Sequence, residues 1–181
     1  MWKRLVHPNI VPFRGITVTP LQLISDWMSG GDLTGYINQH PGVDRLGLVG
    51  FSLLRPSEVL TRHQLDDIVE GLHYLHSHNV VHGDLKGVCV YPKFRSALVL
   101  IPNQPNVLVD DTGHARITDF GFAVVTHNLD IMWGALPGDG HTARWTAPEI
   151  LTGKGANSKE ADVFSFAMVV IEVSREQPTG C

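Results

Sequence analysis

The 181-residue sequence predicts an α+β fold, mainly helical with a small remnant of sheet, and three observations carry that expectation. Short apolar segments bounded by Pro, Gly and Thr lie near the start, at 10–13 and 21–25, and read as strands. Leu65, Ile68, Val69, Leu72 and Leu75 recur at the spacing of one helix face. The stretch 162–173 is apolar almost all round, with Val163, Phe164, Phe166, Met168, Val169 and Ile171, which predicts a helix buried on every side. Between these, Gly30 and Gly31 break the chain, and Asp32 is placed to cap a helix over 33–39 that Pro41 and Gly42 end. Segments 107–109 and 115–118 flank Asp110-Asp111-Thr112-Gly113-His114, the pattern of a hairpin closed by a glycine-containing turn. The stretch 122–144 has little period and reads as a long loop.

Composition bounds the class of function. Hydrophobic residues make up 43% and charged residues 18%, the latter below the roughly 25% of average soluble chains, so the chain is expected to bury a core as one domain. A net charge of −4 and a pI near 6.2 supply no field for binding a phosphate backbone, so nucleic acid is not an expected partner. Cys89 and Cys181 cannot make a disulfide framework, and no secretory signal opens the chain, which predicts a reducing, intracellular and cytoplasmic setting. The longest strictly apolar run, 166–171, is far short of the roughly 20 residues needed to span a bilayer.

The residues that carry chemistry are acidic and amide side chains beside small-residue loops. They run in the order His82-Gly83-Asp84-Leu85-Lys86, Asn106, Asp119-Phe120-Gly121 and Ala147-Pro148-Glu149. In this order they resemble the protein kinase signature set of catalytic loop, metal-binding Asp-Phe-Gly and Ala-Pro-Glu. His7-Pro8-Asn9-Ile10-Val11 resembles the segment after the first small-lobe helix, Ser25-Asp26-Trp27-Met28 the gatekeeper and hinge, and Asp162-Val163-Phe164-Ser165-Phe166 the start of the central large-lobe helix. The likeness covers most of the chain. It implies a small-lobe remnant and hinge over 1–28 and a partial large lobe over 29–181.

The resemblance also implies roles. Asp84 would accept the proton of a substrate hydroxyl, Lys86 would offset charge on the moving phosphoryl group, and Asn106 and Asp119 would hold Mg²⁺. The backbone at Asp26 and Met28 would receive the adenine of ATP, and Thr142 and Glu149 would belong to the activation segment. Lys86 after Asp84-Leu85 is similar to the serine/threonine type, whereas Arg144-Trp145 is similar to the tyrosine-kinase-like group. The lean is toward serine/threonine specificity on a protein substrate. Gly83 stands where many kinases have the Arg that pairs with a phosphorylated loop, so switching by loop phosphate is less expected, with Thr126 and Thr142 still available for it. Asp32 reads as a cap, and Asp66 and Asp67 as a solvated helix face. His73, His76, His78 and His82, with Cys89 nearby, match no zinc spacing, and the kinase likeness already accounts for His76 and His82.

Four departures from the family pattern shape the expectation. The chain opens at Met1-Trp2-Lys3, so the Gly-rich loop, the strand lysine and its partner glutamate of the family are not in it, and it stops soon after the central helix, short of the usual basic partner of Glu149. Two internal segments, 49–64 and 88–104, read as insertions. Removing 88–104 restores the family spacing between Asp84 and Asn106, and removing 49–64 joins Leu48 to Leu65 in one amphipathic helix. Each segment begins with Val and ends with Gln, residues whose codons can carry the GT and CAG of intron boundaries. These segments are therefore read as retained introns, with true surface insertions as the alternative. The functional expectation is an ATP-dependent protein kinase, impaired in this chain. The alternatives are a catalytically silent, pseudokinase-like binding module or the product of a defective gene model.

Overall fold

In the computed structural model the described residues are 1–40, 56–87, 105–125 and 143–174. Near the start, the backbone of Asn9 and Val11 pairs with a strand far along the chain. Val11 N–H donates to the Ile117 carbonyl and Ile117 N–H to that of Asn9, both at 2.9 Å, in a parallel bridge between Ile10 and Ile117. The first strand, β1, then runs over Phe13–Val18 and pairs antiparallel with β2, Leu21–Ser25. The expected strand over 10–13 is thus displaced: its apolar residues feed a long-range bridge, and the local ladder begins where it ends.

The short strand β3, Gly31–Asp32, leads directly into helix α1, Leu33–Gln39. Asp32 caps that helix by accepting the Gly35 N–H at 2.7 Å, the geometry that favours Asp at this position. Helix α2 spans Pro56–Ser77, so it already includes 56–64 of the first segment read as an insertion, whereas 49–55 lie outside the described residues. Its inner face buries Ile68, Leu72 and Leu75 as the periodicity predicts, but Val69 is exposed and Asp67 is buried. The reading of Asp67 as a solvated residue is therefore corrected: it lies one residue before Ile68, on the inward stripe, where it accepts the Ala115 backbone N–H at 2.9 Å.

Strand β4, Val80–Val81, pairs with β7, Val124–Val125, so the expected long loop is strand at its entry. The hairpin forms as expected, with β5 over Val107–Val109 and β6 over Ala115–Ile117 in the sheet order β3-β5-β6. Gly113 in its turn takes a φ of +87°, which a side chain would resist. The short helix α3, Pro148–Leu151, precedes α4, Lys159–Ser174.

Helix α4 is not buried on every side. Val163, Phe164 and Ile171 are exposed, while Asp162, Ser165 and Glu172 are buried. The inward face combines apolar Val169 and Val173 with polar residues that hydrogen bonds draw inward. Ser165 donates to the Trp145 carbonyl at 2.7 Å, and the Trp145 indole donates to Glu172 at 3.0 Å. The core joins α1, α2, α4, the hairpin and Trp145. Among the described residues no helix is long and apolar enough to cross a membrane.

Candidate functional site

The turn that follows β4 is held by one carboxylate of α4. Asp162, 1% exposed, accepts the backbone N–H of His82 at 2.8 Å and of Gly83 at 2.9 Å, and meets His76 Nε2 at 2.8 Å. Gly83 is held at a φ of +79°, a left-handed conformation that disfavours any side chain. His82 is fixed at both ring nitrogens. Asp84 N–H donates to its Nδ1 at 3.2 Å, so Nε2 carries the proton donated to the Thr118 carbonyl at 2.9 Å.

This backbone delivers three of the predicted residues to one place. Lys86 Nζ donates to Asp84 Oδ2 at 2.8 Å, a pair with both side chains largely buried. Asn106 Nδ2 donates to the same oxygen at 3.0 Å and to the Asp84 carbonyl at 2.6 Å. Asn106 N–H also donates to the Lys86 carbonyl at 3.0 Å, and Thr34 Oγ1 to that of Gly87 at 3.1 Å. Asp84–Gly87 and Asn106 thus lie together, although 88–104, outside the described residues, separates them in sequence.

Asp119, which leaves β6 through Thr118, adopts φ 59° and ψ 75° and accepts the Gly121 N–H at 3.2 Å. Left-handed backbone at a non-glycine costs free energy and occurs where surrounding structure imposes it. Here the following Phe120 ring is gripped from two sides, with its centroid 5.3 Å from that of Trp2 and 5.3 Å from that of His82. Trp2 is itself placed by its indole N–H, which donates to the Val11 carbonyl at 2.8 Å. An open cleft of about 470 Å³ is lined by Trp2, Leu23, Ser25, Pro105, Leu108, Thr118 and Asp119.

The donor set suits a hard divalent cation. Asn106 Oδ1 is a buried acceptor with no partner among the described residues, which is costly unless something occupies it. Asp119 adds a half-buried carboxylate beside the cleft. Amide and carboxylate oxygens are the ligands Mg²⁺ takes, so the residues present fit that ion.

The remaining predicted residues stand elsewhere. The Asp26 carboxylate is bound by the Arg14 guanidinium, whose hydrogen bond holds it below the usual carboxylate range. Met28 is buried, and its carbonyl accepts the Gly31 N–H at 3.2 Å. Ser25, and neither of these two, lines the cleft. Glu149 is exposed at the start of α3 and has no cationic partner among the described residues. Thr142 lies outside them.

Against known families, residues 103–180 match the protein kinase domain, and residues 1–90 match the protein tyrosine and serine/threonine kinase model. The chain belongs to the protein kinase family. This kinase domain is 28% identical over 94% of its length to serine/threonine-protein kinase STY46 of Arabidopsis thaliana, of which it spans 24%. It is 29% identical over 98% of its length to serine/threonine-protein kinase CTR1 of the same plant, spanning 18% of that protein. It is also 26% identical over 97% of its length to human mitogen-activated protein kinase kinase kinase 3, spanning 24%. The chain therefore covers about a quarter or less of each of these relatives.

Motif order located Asp84, Lys86, Asn106 and Asp119, but it gave no role to Trp2, Asp162 or Glu172. For the last two a signal was present: carboxylates inside a helix as apolar as α4 need buried donors to satisfy them.

Proposed function

We propose that this kinase domain carries the site for ATP-dependent transfer of a phosphoryl group to a serine or threonine hydroxyl of a protein. The single observation that carries the reading is Asp84 held by Lys86 and Asn106 while Asn106 Oδ1 stays buried and unpaired among the described residues. Asp84 Oδ2 takes both of those hydrogen bonds, and Oδ1 is the atom offered to the incoming hydroxyl. The hydroxyl oxygen forms a bond to the terminal phosphorus, the bond from that phosphorus to the bridging oxygen breaks, and the hydroxyl proton passes to Asp84. Lys86 Nζ, fixed 2.8 Å from Asp84, offsets negative charge on the transferred group, the electrostatic positioning on which this reaction depends. Asn106 and Asp119 would hold Mg²⁺, which when bound neutralises charge on the phosphate oxygens. Adenine would lie on Leu108 beside Ser25, and the backbone at Asp26 and Met28, which follows Ser25 outside the cleft lining, would supply its polar edge only if adenine reaches past that lining. Glu149 and Thr142 would shape the activation segment. The names of the relatives support the serine/threonine lean, and the cysteine usage supports an intracellular setting.

The reading of 88–104 as an insertion belongs to the same proposal. It is supported by the family matches, which stop at residue 90 and resume at 103, and by the Asn106-to-Lys86 contact that spans it. Transcript sequence joining Gly87 to Pro105 is the expected result; reads that retain the segment would overturn it. For 49–64, the same test is read across Leu48 and Leu65, and Gln64 in the long form donates to the Gly113 carbonyl at 3.0 Å.

The functional proposal is tested by thermal shift and by phosphate incorporation into a serine/threonine peptide pool. Mg²⁺-ATP is expected to raise the melting temperature, ATP with a chelator is not, and Asp119→Asn is expected to lose the metal-dependent part. Asp84→Asn is expected to lower incorporation at least about a hundredfold. Absence of both the metal-dependent shift and incorporation would overturn the proposal and leave the binding-module alternative.

A further inference from the structure

Outside the cleft, two imidazoles and a carboxylate meet where α2 packs on the hairpin. His63 and Asp67 lie one helical turn apart on α2, and His114 comes from the turn joining β5 and β6. Asp67 Oδ2 is 3.3 Å from His63 Nδ1 and 3.2 Å from His114 Nδ1. One donor atom from each of the three lies within 4.8 Å of the others, and the two rings approach edge to face with centroids 4.5 Å apart.

These separations are long for charge-assisted hydrogen bonds, which fall at about 2.7–2.9 Å. They suit ligands of one ion. Zinc takes imidazole nitrogen and carboxylate oxygen at about 2.0–2.2 Å in tetrahedral geometry, which places neighbouring ligand atoms roughly 3.4 Å apart. The carboxylate is already aimed: Ala115 N–H holds Asp67 Oδ2 at 2.9 Å, and the Asp67 side chain is 11% exposed. The histidines are 52% and 46% exposed, so one side of the cluster opens to solvent for a water ligand, as in three-residue zinc sites. Two nitrogens with one oxygen favour a zinc-class ion over Mg²⁺ or Ca²⁺, which prefer all-oxygen shells.

We propose that His63, Asp67 and His114 form a binding site for a divalent zinc-class transition metal that ties α2 to the β5–β6 turn. The ion would take the lone pair of each Nδ1, with each neutral ring carrying its proton on Nε2, and a carboxylate oxygen of Asp67. The site is independent of the nucleotide reading, because none of its residues lines the cleft. It does depend on the long form of the chain, since excision of 49–64 removes His63.

The test uses the full chain, stripped with chelator and titrated with Zn²⁺ by calorimetry in the absence of nucleotide, with Co²⁺ as a visible-absorption probe. One ion per chain is expected to bind, excess Mg²⁺ is not expected to displace it, and His63→Ala and His114→Ala are each expected to weaken it at least tenfold or so. Both substituted side chains are about half exposed, and circular dichroism checks that the variants fold. At zinc about 100 times above its Kd, the melting temperature is expected to rise by roughly 5–10 °C. His78→Ala, an exposed histidine just beyond α2, is expected to bind as the parent does. Absence of saturable binding, unchanged affinity in both alanine variants, or equal loss in His78→Ala would overturn the proposal.

Discussion

Replacing Asp162 by alanine removes the acceptor for two backbone donors, the N–H of His82 at 2.8 Å and of Gly83 at 2.9 Å. His82 is fully buried and Asp162 nearly so, so water does not freely replace the carboxylate. A buried donor left unpaired costs about 1–3 kcal/mol, which applies in full to His82 N–H, while the half-buried Gly83 N–H adds less. That is a large fraction of the roughly 5–15 kcal/mol that holds a domain folded. Asp162→Asn preserves volume and one acceptor oxygen, so it is expected to retain about half of the loss. The assay is urea unfolding followed by the fluorescence of the buried Trp145, comparing midpoints at constant slope. Amide exchange at His82 and Gly83 gives a local readout and is expected to accelerate more than at α1. An Asp162→Ala unfolding free energy within about 1 kcal/mol of the parent would refute the idea that this carboxylate holds the His82-Gly83 turn.

Further outcomes follow from the same geometry. Burial raises the Asp110 carboxyl, but hydrogen bonds from Thr112, His114 and Arg116 outweigh it and bring it down to about 2. Because the folded value lies below the unfolded one, the stabilisation is present above about pH 4 and fades as pH falls toward 2, amounting to about 2 kcal/mol. Unfolding curves between pH 5 and pH 2 are expected to show a steeper acid loss in the parent than in Asp110→Asn. At Gly83, a Cβ would meet Asn157 Nδ2 at 2.5 Å and the Phe122 carbonyl at 3.0 Å, at a left-handed φ. Gly83→Ala is therefore expected to lower stability by about 1–2 kcal/mol in the same urea assay.

What could be read in the sequence was whatever local chemistry decides. The Asp32 cap opens α1 over the residues expected, because the capping oxygen acts within the first turn of the helix; the stop expected at Pro41-Gly42 lies outside the described residues. The hairpin around Gly113 formed for the same reason. Asp84, Lys86 and Asn106 were legible as a set only through motif order, since nothing in spacing brings Asn106 back to Asp84. Non-local pairing was not legible: Ile10 and Val11 look like a strand start, yet their partner is Ile117. Nor was the inward face of α4. Its apolar residues outnumber its polar ones, but Asp162 and Glu172 point inward because the donors that satisfy them come from His82, Gly83 and Trp145. Asp67 misled in the same way, as its partner Ala115 lies in a strand the helix meets only on folding.

The bond from Asn106 N–H to the Lys86 carbonyl closes the polypeptide on itself before residue 88 and after residue 104. Whatever joins those two points is relieved of aiming the acid and the amide, since the ends are clasped independently of the route between them. Lengthening such a connection several-fold costs only about 1 kcal/mol in closure entropy. Gly87 and Pro105 therefore bracket a permissive port, where a tag or reporter could be spliced in while the geometry of Asp84 stays as it is.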